Sequence, residues 1–238
     1  MDEIYLLKKK YKFKIIEDSS HALGAKYKNN VIGSCKYSDM CVFSFHPVKS
    51  ITTAEGGMIT TNNKKHYTDL MLYREHGINR VFKKKKLRPK YYEQIKLGYN
   101  YRMNEIEASI GIEQLKKLDN FINQRIKIFR IFKKKLNNNL FVYPNISKNS
   151  KSSHHLFVIL LKKNIKKIRD KIFLRLLKKG LGVNIHYMPI YKHPFYKRKN
   201  FFLKNAEKYY NTCISIPIFP SLSKNQQSFI IRTINSIK

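Results

Sequence analysis

Cysteine is scarce in this 238-residue chain: there are three, Cys35, Cys41 and Cys213, and no two share a C-x-x-C spacing. An odd number without that spacing argues against a disulfide framework and against a zinc site, and no metal is expected. A reducing, cytoplasmic setting follows. Long apolar runs are lacking too. The longest, LFVILL at 156–161, is far too short to cross a bilayer, and the first residues carry no apolar signal core. A soluble chain without membrane attachment is expected.

Acidic residues are the third shortage: 15 Asp and Glu face 49 Lys and Arg, a formal net charge of +34. Such an excess suggests a basic, non-catalytic module that binds nucleic acid or another polyanion. Its distribution argues otherwise. The cations run from Lys8 to Lys238 among abundant Ile, Asn, Tyr and Phe, which is the pattern of an A/T-rich coding bias rather than of one patch. The densest runs, Lys83–Lys86 and Lys133–Lys135, read as a loop and a solvated helix face. Neither carries an RGG, RNP or Cys/His signature, so no specific nucleic acid is expected. The charge can still steer anionic substrates.

What is present is a foldable mixture, 42% hydrophobic and 13% aromatic, long enough to bury a core. YLLKKKYKF begins as an amphipathic helix and leads into a short strand, FKIIE, ending at Asp18. MCVFSF at 40–45 reads as a buried strand, followed by a glycine pair, a strand MITT and a helix from Asn63 to His76. Residues 77–103 read as loop. Asn104 and Glu107 have capping-box spacing, and Ile106, Ile110, Leu115, Leu118, Ile122 and Ile126 then recur as one buried helical stripe. The composition turns to Lys and Asn from Lys133, placing a domain boundary near 130. Beyond it the pattern gives a strand HLFVILL, a helix from Asn164 to Gly180, a strand GVNIHY and a C-terminal helix capped by Ser223 with Gln226. Residues 1–130 thus belong to an α/β domain and 131–238 to a small α+β domain.

One lysine stands apart. Lys49 follows the MCVFSF strand in FSFHPVKSITTAEGG, where the other cation is His46 and Gly56 and Gly57 come close behind. Functional groups of open α/β sheets sit outside the carboxyl ends of strands, and a lysine that condenses with an aldehyde needs a sheltered or cationic setting. Asp18 ends the preceding strand and falls at the same edge. Alone, Asp18 reads as a turn or helix cap, and Ser44 likewise.

The combination resembles a family. EDSSHALGA (17–25), SFHPVKSITTAEGGM (44–58), REHGI (74–78), GYNYRMNEIEASIGIEQLKKLD (98–119), NIHYMPIYKHPFY (184–196) and SIPIFPSL (215–222) look like the serial motifs of the DegT/DnrJ/EryC1/StrS aminotransferases. These are pyridoxal-phosphate-dependent enzymes of fold type I. The tail is most similar to members that aminate UDP-4-keto-6-deoxy-N-acetylhexosamines. The resemblance implies that Lys49 supplies the amine for the cofactor aldehyde and moves the proton during amino transfer. It implies that Asp18 pairs with the ring nitrogen, His21 lies beside the ring and Ser44 gives a hydroxyl to the phosphate. Asn100 would reach the phosphate of a neighbouring subunit, with Arg102 facing that site, so a homodimer is implied. His186 and Tyr187 become contacts for the nucleotide sugar, although as residues alone they read equally as an edge-strand pair. His76 reads as a helix C-terminal histidine. Members that dehydrate rather than aminate have histidine at the position of Lys49, so amination, with glutamate as donor, is favoured.

The same resemblance places Met1 inside the large domain, without the family's early strands, phosphate-binding helix and ring-stacking aromatic. An incomplete large domain is therefore expected, and with it two alternatives: a truncated, inactive fragment, or one half of a split enzyme that pairs with a separate N-terminal half. Ala54 stands where the family has glycine before EGG.

Overall fold

The computed structural model describes residues 1–79, 92–136, 139–162, 166–196 and 201–237, and of Lys166 and Lys167 the backbone only. The lysine run at 83–86 lies outside the described residues. The chain forms two compact units, Met1–Leu118 and Asp119–Lys238.

The first unit opens with helix α1 (Asp2–Tyr11) and strand β1 (Ile16–Asp18), followed by a small antiparallel hairpin of β2 (Lys26–Tyr27) and β3 (Asn30–Val31). Strand β4 (Met40–Ser44) runs parallel to β1, with Ile16 opposite Met40 and Asp18 opposite Val42. Strand β5 (Gly57–Thr60) pairs antiparallel on the other side of β4, with Ser44 opposite Gly57. Helix α2 (Lys64–Arg74) begins at its Asn63 cap, whose side chain accepts from the His66 N–H. A second minimal hairpin, β6 (Ile78–Asn79) with β7 (Glu93–Gln94), interrupts the expected loop.

Strand alternation decides what this sheet covers. Cys41 and Phe43 of β4, with Phe45 beyond it, are buried together with Cys35 and Ile51, and Leu23, Ile32, Met103 and Leu118 pack against them. The opposite face carries Met40, Val42 and Ser44 of β4 beside Ile16 and Asp18 of β1. There Ile16 is 61% exposed. β4 is thus fully buried on one face only, with Met40, Val42 and Ser44 half-buried on the other, not buried on two as its apolar run suggests. Asp39 ties the entry to the sheet: its carboxylate accepts from the Ile15 N–H (2.8 Å) and pairs with the Lys8 ammonium (2.8 Å).

The expected long helix is two. α3 (Glu105–Lys116) starts at a complete Asn104–Glu107 capping box and ends before α4 (Leu118–Lys135) begins. Its stripe is not buried: Ile106 is 75% and Leu115 53% exposed. α3 approaches the loop between β4 and β5 through Gly111, where an added Cβ would stand 2.8 Å from Thr53 Cγ2.

In the second unit, β10 (Phe157–Leu161) lies between β11 (Cys213–Ile216) and the short β8 (Phe141–Val142), antiparallel to both. A further two-residue strand, β9, covers Ser150–Lys151. Phe132 of α4, Phe141, Phe157, Ile159 and Ile214 fill the core with Leu176 of α5 (Lys166–Lys178) and Ile234 of α7 (Lys224–Asn235). α7 carries the expected Ser223–Gln226 capping box. GVNIHY does not form a strand. Asn184 makes one bridge to Ser215, and its own Oδ1 accepts from the Ile185 N–H (2.7 Å), a local bond that competes with continuing the ladder. Helix α6 (Lys204–Thr212), not evident in the sequence pattern, precedes β11. Among the described residues no helix is long and apolar enough to cross a membrane.

Candidate active site

β1 delivers Asp18 to the carboxyl edge of the parallel pair, and the next residues lock it there. Ser19 donates its N–H to the Val42 carbonyl (2.8 Å), and its buried hydroxyl meets the Cys41 thiol (2.9 Å). The Asp18 carboxylate accepts from both the hydroxyl (2.6 Å) and the N–H (3.1 Å) of Ser20. The Ser20 hydroxyl, then its N–H, hold the Asp18 carboxyl below the usual carboxylate range; partial burial opposes this, and the His21 and Lys49 charges add to it. The folded chain therefore brings the His21 and Lys49 charges within electrostatic reach of the Asp18 carboxylate, and favours its ionised form.

Lys49 is half-buried in a cinched loop. Phe45 N–H reaches the Gly56 carbonyl (2.9 Å), Thr53 N–H returns to the Phe45 carbonyl (3.0 Å), and Lys49 N–H closes a turn onto His46 (2.9 Å). The Thr52 hydroxyl also donates to Phe45 (3.0 Å) and the buried Thr53 hydroxyl to Glu55 (2.6 Å). Ile51 plugs the loop into the core. Ala54 sits in the left-handed region at φ 67°, which accounts physically for a glycine being suited to that position. Gly57 has no room for a side chain: a Cβ would lie 2.6 Å from the Phe43 carbonyl oxygen.

Ser44 ends β4 on the face shared with Val42 and Asp18, and its hydroxyl oxygen lies 3.5 Å from the His46 N–H. Asn100 is exposed and bridges Glu75 through the backbone, while Tyr99 and Tyr101 stack at 4.8 Å on either side of it. Arg102 is exposed in the same extended segment. Among the described residues no hydrogen bond or ion pair joins Asn100 or Arg102 to Asp18 or Lys49. His186 and Tyr187 belong to the second unit: the His186 Nδ1 lies 2.8 Å from the Ser215 hydroxyl, and the exposed Tyr187 ring meets the imidazole edge-on at 4.6 Å.

Sequence reasoning passed over Ser20, Thr53 and Ser215. The D-x-S spacing of a side-chain-to-backbone turn could have found Ser20. Ser215 has no local signal, since its partner is 29 residues away.

Residues 1–235 match the DegT/DnrJ/EryC1/StrS aminotransferase family. The chain is 40% identical, over 240 residues, to a UDP-4-amino-4,6-dideoxy-N-acetyl-beta-L-altrosamine transaminase of Campylobacter jejuni, a match that covers 100% of the chain and 62% of that relative. An aminotransferase of Helicobacter pylori involved in the biosynthesis of pseudoaminic acid superposes with a TM-score of 0.87 at 33% identity, over 98% of the chain and 62% of the solved one. Spr1654 of Streptococcus pneumoniae, solved in its PLP form, superposes with a TM-score of 0.83 at 26% identity, over 97% of the chain and 59% of its own. The chain thus spans about three fifths of the length of the relatives it matches.

Proposed function

The chain belongs to the DegT/DnrJ/EryC1/StrS aminotransferase family, and on that premise we propose that it provides the lysine-bearing part of a sugar aminotransferase. The reaction moves an amino group from an amino acid, glutamate, to the 4-keto carbon of a UDP-linked 6-deoxy-N-acetylhexosamine, for a cell-surface glycan. The observation that carries this reading is an Asp18 carboxylate held by Ser20 at the end of β1 and acted on by the charge of Lys49 in the loop after the neighbouring β4.

The donor set fits pyridoxal phosphate: an anchored carboxylate for a ring nitrogen, a sheltered amine for an aldehyde and a hydroxyl for a phosphate. When bound, that cofactor supplies an electron sink for the carbon that loses its proton. Asp18 would pair with the ring nitrogen and keep it protonated. Lys49 would hold the cofactor through its amine, and as the base nearest the reacting carbon it would take up and return the proton that the amino donor loses. His21 lines the ring, and the Ser44 hydroxyl binds the phosphate. Asn100 and Arg102 serve the same site of a second subunit in a homodimer, and His186 and Tyr187 contact the nucleotide sugar. A cofactor-binding part over residues 1–130 and a small domain over 131–238 is the division we favour. Three buried free cysteines are compatible with a reducing cytoplasm.

Since the chain spans 62% of its relatives' length, activity requires the counterpart of the remainder, in the same polypeptide or a separate one. The test combines the chain with that counterpart from the C. jejuni relative and supplies pyridoxal phosphate, glutamate and the keto sugar. A visible cofactor band and glutamate-dependent amination are expected. A combined protein that folds and shows neither overturns the proposal.

A further inference from the structure

In the second unit, the roles above leave Ser215, the partner of His186, without a part. Ser215, in the middle of β11, is 5% exposed. Its backbone is fixed by two bonds to Asn184, with Asn184 N–H to Ser215 O at 3.0 Å and Ser215 N–H to Asn184 O at 2.8 Å. Its hydroxyl lies 2.8 Å from Nδ1 of His186, two residues further along the same bridged segment. A strand residue whose backbone and side chain both grip one short segment fixes where the ring of that segment stands.

The direction of the bond follows from what the hydroxyl can otherwise do. Ser215 Oγ has one proton to give and two lone pairs, and among the described residues Nδ1 is its one polar partner. A buried donor left unspent costs more than a lone pair left unspent. The hydroxyl therefore donates to Nδ1. A neutral imidazole that accepts at Nδ1 carries its proton on Nε2. Resting on the reading of His186 as a nucleotide-sugar contact, we infer that Ser215 is the positioning residue of His186: it holds the ring in place and keeps its proton on Nε2, so that the imidazole presents a donor to an acceptor-rich ligand such as a nucleoside diphosphate.

The test uses the full chain with 15N-labelled histidine. Long-range 1H–15N spectra show which ring nitrogen carries the proton of the neutral form, with His186 identified by the signals lost in His186→Gln. A wild-type ring protonated on Nε2 is expected, with redistribution toward Nδ1 in Ser215→Ala and none in Ser215→Thr. A wild-type ring protonated on Nδ1 overturns the inference without any serine variant having to fold, and so do unchanged tautomer populations in Ser215→Ala. Titration with UDP reads the ligand separately. Ser215→Ala is expected to weaken UDP binding on the order of three- to tenfold, the scale of one neutral hydrogen bond. If His186→Gln leaves UDP affinity unchanged, the nucleotide role of His186 is overturned, and the tautomer result still decides the role of Ser215.

Discussion

The Lys49 ammonium lies close enough to Asp18 to help hold its carboxyl below the usual range, although 30 residues separate them in the chain and neither sits in the other's strand. The parallel register of β1 on β4 sets Asp18 beside Val42, and the cinched loop after β4 turns Lys49 back toward the same edge. The larger share of the effect belongs to Ser20. Ser20→Ala removes the hydroxyl and leaves the N–H, so the Asp18 carboxyl should titrate at higher pH than in the wild type. Carbon-detected NMR of the Asp18 carboxyl measures this, and an unmoved midpoint would contradict the assigned cause.

Ala54 and Gly57 make opposite demands within four residues. Ala54 occupies φ 67°, where an L side chain costs about 1–2 kcal/mol, part of which glycine would repay in unfolded-chain entropy. Ala54→Gly is expected to stabilise the chain by about 0.5–1 kcal/mol. Gly57→Ala is expected to destabilise it by at least about 2 kcal/mol, because the atom in the way, Phe43 O, is backbone and cannot step aside. Urea unfolding of both variants checks the pair; equal midpoints would remove the steric reading of this loop.

Asp39 carries the pH dependence of the α1 anchor. Burial would raise its carboxyl, but the Lys8 ammonium and the Ile15 N–H outweigh that and lower it from 3.8 to about 2. A depressed folded value means stability that is complete above the unfolded value and lost as pH falls from 3.8 toward 2. Asp39→Asn should flatten the acid limb of the stability curve over that window and cost about 1–2 kcal/mol at neutral pH. Unfolding midpoints measured between neutral pH and pH 2 provide the comparison.

Much of this architecture is legible where the signal is local. The Asn104–Glu107 and Ser223–Gln226 boxes need three-residue spacing and formed as read. Asp18 is readable as the end of a strand and Lys49 as a residue just beyond one, because β1 and β4 are short runs with clear stops. The failures are long-range. The α3 stripe has helical period, but period cannot say what covers it, and Ile106 and Leu115 remain exposed. GVNIHY has strand composition, yet one Asn184 side chain diverts the backbone after a single bridge. The Ser215 partner of His186 depends on a pairing that spacing does not encode.

Arg125 is a buried cation serving the second unit. One guanidinium nitrogen donates to the carbonyls of Ile218 (2.7 Å), His155 (3.1 Å) and, more weakly, His154 (3.4 Å). Burial lowers its pKa from the ordinary guanidinium value. Arg125→Leu keeps much of the volume but leaves these carbonyls without a donor, for a loss of about 2–4 kcal/mol. Arg125→Lys should recover part of it. Chemical denaturation of the two variants tests the order; Arg125→Leu as stable as the wild type would show the carbonyls find other partners.

Among so many lysines, the most direct measurement is where pyridoxal phosphate becomes fixed. The chain, joined by the counterpart of its relatives' remaining length, is incubated with the cofactor, reduced with borohydride and mapped by peptide mass spectrometry. The pyridoxyl label is expected on the peptide bearing Lys49 and should vanish from it in Lys49→Arg. Label spread over exposed lysines, with Lys49 no richer than the rest, would contradict the assignment of this lysine to the cofactor.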